Sequence, residues 1–111
     1  MPKNNTYKNT ILYLSTYPPR ECGIATFTQD LVTAMNQRFN PIMHSGVVAL
    51  NENHTNFYNY PGLVSDQVVA NDLSHYVALA EKINANNRVK LVNIQHEFGI
   101  FGGKKIKIGF G

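Results

Sequence analysis

The apolar run Ile11, Leu12, Tyr13 and Leu14, bounded by polar residues, predicts a strand over residues 10–15, buried on both faces of a parallel sheet. Tyr17, Pro18, Pro19, Arg20, Glu21, Cys22 and Gly23 follow, and consecutive prolines continue neither strand nor helix, so this stretch is a loop at the strand's carboxyl end. From Ile24 the period lengthens. Ile24, Phe27, Leu31 and Met35 share one side and Thr28, Gln29, Thr33 and Asn36 the other, which predicts an amphipathic helix ending near Arg38. Asn40 and Pro41 stop it, and Gly46 to Leu50 forms a second strand. The asparagine-rich stretch 51–63, with Pro61 and Gly62, reads as a surface loop. A short strand over Val64 to Ala70 comes next, and then a helix capped by Asn71 whose inward face is Leu73, Tyr76, Val77, Ala80 and Ile83. Val89, Leu91, Val92 and Ile94 form a last β-branched run that leads into Gln95, His96, Glu97, Phe98 and Gly99.

Strands alternating with amphipathic helices define an α/β fold of Rossmann-like βαβ units with a mostly parallel sheet. In such sheets ligands bind outside the carboxyl ends of the strands, where the loops beginning at Tyr17 and Gln95 lie.

Composition narrows the functional classes. The net charge of +3 comes entirely from Lys104, Lys105 and Lys107; the other seven basic residues balance the seven acidic ones, so no basic stripe suits a nucleic acid. Cys22 is the single cysteine, which rules out an internal disulfide and suits a reducing compartment. Residues 1–9 form a polar tail and no apolar run approaches the roughly 20 residues of a membrane helix, so the expected location is cytoplasmic.

Gly23 opens a helix, where free backbone N–H groups and the positive end of the helix dipole favour an anion and the missing side chain lets it approach. An N-cap with no ligand accounts equally well for a glycine there. Neither G-x-G-x-x-G after the first strand nor G-x-x-x-x-G-K-[ST] occurs, which argues against a dinucleotide enzyme and a P-loop ATPase. Cys22 has no base beside it in sequence and is not assigned catalysis. His44, His54 and His75 lack the close sequence spacing of zinc ligands, a closed structural zinc site is not expected with one cysteine, and surface positions are expected for them. The aromatic groups Phe57 to Tyr60 and Phe98 to Phe101 suit either core packing or stacking on a sugar.

Two longer stretches carry a resemblance. Ser15-Thr-Tyr-Pro-Pro-Arg-Glu-Cys-Gly-Ile-Ala-Thr-Phe-Thr-Gln-Asp-Leu31 resembles the opening strand, loop and helix of a group of family 4 glycosyltransferases, and Gln95-His-Glu-Phe-Gly-Ile-Phe-Gly-Gly103 is similar to a second signature of that group. The similarity spans roughly residues 10–103. It implies the partial N-terminal, acceptor-side domain of a GT-B enzyme, in which two Rossmann-like domains face a cleft and a sugar passes from a nucleotide-sugar donor to an acceptor with retention, without a metal or further cofactor. By the same resemblance Glu21, Cys22 and Gly23 match the loop beside the donor diphosphate and acceptor, and His96 a histidine lining the sugar site. Arg20, Glu97, Gly99, Gly102 and Gly103 fall within these motifs as supports of the site. An imidazole at a strand end is chemically suited to hydrogen-bond a sugar hydroxyl or stabilise developing charge.

The likeness is lost at residues 104–111, where Lys104-Lys-Ile-Lys-Ile-Gly-Phe-Gly111 makes no helical face. The expectation is a truncated piece, inactive alone, with an exposed sheet edge that a C-terminal domain or a complementing chain would complete. A non-catalytic glycan- or phosphate-binding module and an inert remnant are the alternatives. Donor sugar, acceptor and linkage are not encoded here, because donor selection in this architecture belongs mostly to the second domain.

Overall fold

The computed structural model describes residues 9–54 and 58–95. Four strands, β1 (Asn9–Ser15), β2 (Met43–Asn51), β3 (Val64–Val69) and β4 (Val89–Ile94), and two helices, α1 (Gly23–Phe39) and α2 (Leu73–Asn84), follow in the order β1, α1, β2, β3, α2, β4. The sheet is entirely parallel in the order β3-β2-β1-β4. This is the expected α/β architecture of βαβ units. The chain steps from β1 through α1 to β2 and on to β3, then returns through α2 to place β4 on the other side of β1.

Each helix covers one face of the sheet. On the first face Ile11, Tyr13, Val47 and Ala49 pack with Val32 of α1, with Leu31 and Met35 at the margin. On the second, Leu12, Leu14, Val48, Leu50 and Val68 pack against Tyr76, Leu79 and Ile83 of α2. Alternate residues of β1 and β2 thus serve two separate cores, which is why both strands are apolar without interruption at their centres.

Both helices bury only part of the face their large apolar residues suggest: Leu31 and Met35 of α1 and Tyr76 and Ile83 of α2 pack against the sheet as expected, and the others do not. In α1 the buried residues are Ala25, Thr28 and Val32, and Phe27 is 55% exposed. Small side chains let the helix approach the sheet, and the Thr28 hydroxyl is satisfied there by the Ser15 hydroxyl at 2.8 Å. In α2 Leu73, Val77 and Ala80 face outward and Leu79 takes a core position beside Tyr76 and Ile83. The cap is Asp72 and not Asn71: its carboxylate accepts the N–H groups of Ser74 and His75, a geometry reached only from the residue directly before the helix.

β2 begins three residues earlier than its apolar run. Met43, His44 and Ser45 pair with Asn9, Thr10 and Ile11, and the Asn36 side chain holds Ser45 by donating to its carbonyl at 2.9 Å and accepting from its N–H at 2.8 Å. Among the described residues β4 pairs only with β1, and Leu91 and Ile94 on it stand 54% and 57% exposed. No helix among the described residues is long and apolar enough to cross a membrane.

Candidate functional site

The strand order reverses direction between β1 and β4, and the crevice outside the carboxyl ends of such a pair is where open α/β sheets bind ligands. Gln95 N–H donates to the Leu14 carbonyl at 3.0 Å, so the chain leaves β4 directly beside the end of β1. The two stretches singled out in the sequence, beginning at Ser15 and Gln95, therefore start from adjacent strand ends. His96, Glu97, Gly99, Gly102 and Gly103 lie outside the described residues, as does Phe98 to Phe101.

The loop after β1 is anchored from below. Ser15, Thr16 and Tyr17 are buried, and burial raises the Tyr17 phenol above its ordinary range. The Thr16 hydroxyl lies 3.1 Å from Cys22 Sγ, which gives the partly exposed cysteine a packing role in holding the loop closed. Arg20 N–H donates to the Tyr17 carbonyl at 3.1 Å, and the Arg20 guanidinium reaches across to β2, donating through Nη1 to the Leu50 carbonyl at 2.8 Å, with Nη2 3.7 Å from Glu52 Oε2. Arg20 thus ties the loop to the end of β2. Glu21 and Gly23 remain exposed beyond it.

The first turn of α1 has the features that suit an anion. Cys22 caps it with extended backbone but no side-chain bond to the helix, and the turn carries no acidic residue. The first N–H groups of a helix have no partner within it, and the side chain of Cys22 does not cap them. Among the described residues, a Cβ built on Gly23 would meet no atom within 4 Å, which leaves room for a ligand beside these groups.

Along the same edge, Asn51 is fully buried and organises the loop after β2. Its Oδ1 accepts from the Tyr60 hydroxyl at 2.6 Å, its Nδ2 donates to Gln67 Oε1 at 2.8 Å, and Gln67 Nε2 donates to the Tyr58 carbonyl at 3.2 Å. Tyr60, undecided from sequence, therefore packs against the first core with its hydroxyl spent on Asn51. Burial, helped by Tyr58, pushes its phenol up to about 12. Burial also pushes Tyr76 up to about 12, its hydroxyl donating to the Ala70 carbonyl at 2.5 Å.

For both tyrosines the folded state holds the proton more tightly than an unfolded chain, whose phenols ionise near pH 10. Their stabilising contribution is complete below about pH 10 and is lost as the pH rises towards 12. Alkaline titration is expected to bring loss of far-ultraviolet ellipticity and the rise of phenolate absorbance together in that window; ionisation of all tyrosines near pH 10 with the fold intact would contradict it.

The wide sequence spacing of His54 and His75 hides their meeting in space. His54 follows β2, His75 stands in the first turn of α2, and both face the Asp72 carboxylate. His54 is at the surface as expected, whereas His44 and His75 are partly buried, and burial lowers the basicity of His44. His44 lines a cavity of about 210 Å³ with Thr10, Leu12, Gly46, Leu63 and Val89, at the amino ends of the strands. That volume falls below the roughly 300 Å³ where small-molecule sites begin, and it lies opposite the edge that carries the loop polar groups. Protein-family models, curated proteins and solved structures yield no match to this chain, so a functional reading rests on the sheet, its carboxyl edge and the two sequence signatures.

Proposed function

We propose that this chain is the acceptor-side, N-terminal portion of a retaining GT-B glycosyltransferase, in which the loop Glu21-Cys22-Gly23 receives the diphosphate of a nucleotide sugar and His96 faces the transferred sugar. The observation that carries this reading is the adjacency of β1 and β4: the two stretches that resemble the family leave neighbouring strand ends at the point where the strand order reverses. The uncapped α1 terminus and the open space at Gly23 support the same reading, since both favour a phosphate close to backbone. Sugar transfer in this architecture also requires the domain that holds the nucleotide.

Two charge-assisted hydrogen bonds from the helix terminus at about 2 kcal/mol each correspond to a dissociation constant on the order of 1 mM. Titration of the chain with UDP and GDP, followed by amide resonances, is expected to give saturable shifts centred on Glu21 to Ala25. Shifts scattered over the surface, or none at tens of millimolar ligand, would remove the diphosphate from this loop and leave the reading without its donor contact.

A further inference from the structure

The two oxygens of Asp72 are turned to different tasks. Oδ1 accepts the Ser74 N–H at 2.9 Å, the Ser74 hydroxyl at 2.6 Å and the His75 N–H at 3.4 Å, and so caps α2. Oδ2 lies 2.7 Å from His54 Nε2 and 3.4 Å from His75 Nε2. The two imidazoles meet edge to face, with centroids 5.5 Å apart. One ligand atom from each of the three residues lies within 4.8 Å of the others.

We propose that His54, Asp72 and His75 bind a borderline divalent transition-metal ion of the zinc class. Two imidazole nitrogens with one carboxylate oxygen form the donor set such ions prefer, whereas magnesium and calcium require mostly oxygen. One of the three ligand separations already suits a tetrahedral ion. Bonds near 2.0 to 2.1 Å in a tetrahedron put neighbouring ligand atoms about 3.3 Å apart, close to the present separation of Asp72 Oδ2 and His75 Nε2. On the same tetrahedral geometry His54 must move roughly 0.6 Å away from Asp72 Oδ2 and bring its nitrogen, now within 4.8 Å of the His75 nitrogen, to a similar separation from it. It is the ligand with the most freedom, with its side chain 63% exposed against 30% for His75 and 20% for Asp72.

The carboxylate is already oriented by its hydrogen bonds to Ser74, as the outer contacts of metal sites orient their ligands. Three protein ligands leave a fourth position to water, on the side of the exposed His54. This is an open set, not a closed structural site, and it stands on the carboxyl edge of the sheet without depending on the glycosyltransferase reading.

His75 gives the proposal a distinctive signature. Its Nδ1 accepts the Val69 N–H at 2.9 Å, so the neutral ring carries its proton on Nε2, facing Asp72. A metal at Nε2 moves that proton to Nδ1, where it opposes the Val69 N–H. Metal binding therefore exchanges the Val69–His75 hydrogen bond for a metal–nitrogen bond, and the Val69 amide reports it. The ion would also fasten the loop after β2 to the start of α2.

The test is calorimetric titration of the full chain with Zn²⁺, the visible spectrum of the Co²⁺ form, and the Val69 amide resonance during Zn²⁺ addition. The expected result is one ion per chain, the intense visible bands of tetrahedral Co²⁺, and a marked shift of the Val69 amide. His54→Ala removes an exposed ring and leaves the Asp72 cap, so it should fold and bind Zn²⁺ at least 10-fold more weakly. Asp72→Asn keeps a capping oxygen and should weaken binding comparably. Absence of stoichiometric Zn²⁺ binding, equal affinity in the wild type and His54→Ala, or a Val69 amide unmoved at saturation would each overturn the proposal.

Discussion

Leu50→Ala is expected to lower the unfolding free energy by about 3 kcal/mol. Leu50 is completely buried, at the centre of the core that joins Leu12, Leu14, Val48 and Val68 to α2. Truncation forfeits the transfer free energy of the deleted carbons and leaves a cavity between two strands and a helix, neither of which collapses freely. A small domain holds only about 5 to 15 kcal/mol in all, so the loss is a large fraction of the total. With a slope near 1.5 kcal/mol per molar urea, the unfolding midpoint should fall by about 2 M. Leu73→Ala supplies the contrast, because Leu73 is 76% exposed although its sequence position suggests core; a change within about 0.5 kcal/mol is expected there. Equal losses at the two sites would mean that α2 packs by its Leu73 face and that the arrangement described above is wrong.

That contrast marks where the sequence is legible. Strand β1 is readable because its unbroken apolar run, Ile11 to Leu14, has few other fates in a parallel sheet, and β4 because Val89, Leu91, Val92 and Ile94 favour extended backbone. The helices are readable as helices, but their rotation only in part. Tyr76 and Ile83 turn inward as expected, but Leu73, Val77 and Ala80 do not, and Leu79 takes a core position instead. In α1 the choice falls on Ala25, Thr28 and Val32, since close approach to the sheet rewards small side chains and Thr28 finds a partner in Ser15. No windowed count of hydrophobicity contains that partner, which is 13 residues away. The start of β2 is similarly hidden: Ser45 is buried because the Asn36 side chain satisfies its backbone, a pairing visible only once α1 lies on the sheet.

The site divides along the same line. The loop after β1 was legible because prolines, a glycine and a helix start are local signals. The Asn51, Tyr60 and Gln67 network was not, as each residue alone reads as loop or surface. The meeting of His54 with His75 was not legible either, since it depends on β2 and β3 being parallel neighbours, which brings the loop after one to the helix after the other.

Gly23→Val should abolish measurable diphosphate binding while leaving the fold intact. Among the described residues nothing lies within 4 Å of a Cβ at Gly23, and its φ lies outside the left-handed region, so a branched side chain is expected to fit there without clash or backbone strain. Cost to stability is therefore expected to remain within about 0.5 kcal/mol, as for a surface substitution. The same side chain stands in front of the N–H groups of the first turn and holds a phosphate away from them. Loss of one charge-assisted hydrogen bond, about 2 kcal/mol, weakens binding roughly 30-fold and moves a millimolar dissociation constant out of practical reach. Thermal unfolding and the UDP titration must be measured on the same sample, because only their divergence is informative. If the variant is as stable as the wild type and the Glu21 to Ala25 shifts vanish, the terminus of α1 receives the diphosphate. If the shifts persist unchanged, the anion lies elsewhere, Gly23 serves only to start the helix, and the donor contact proposed for this loop must be given up.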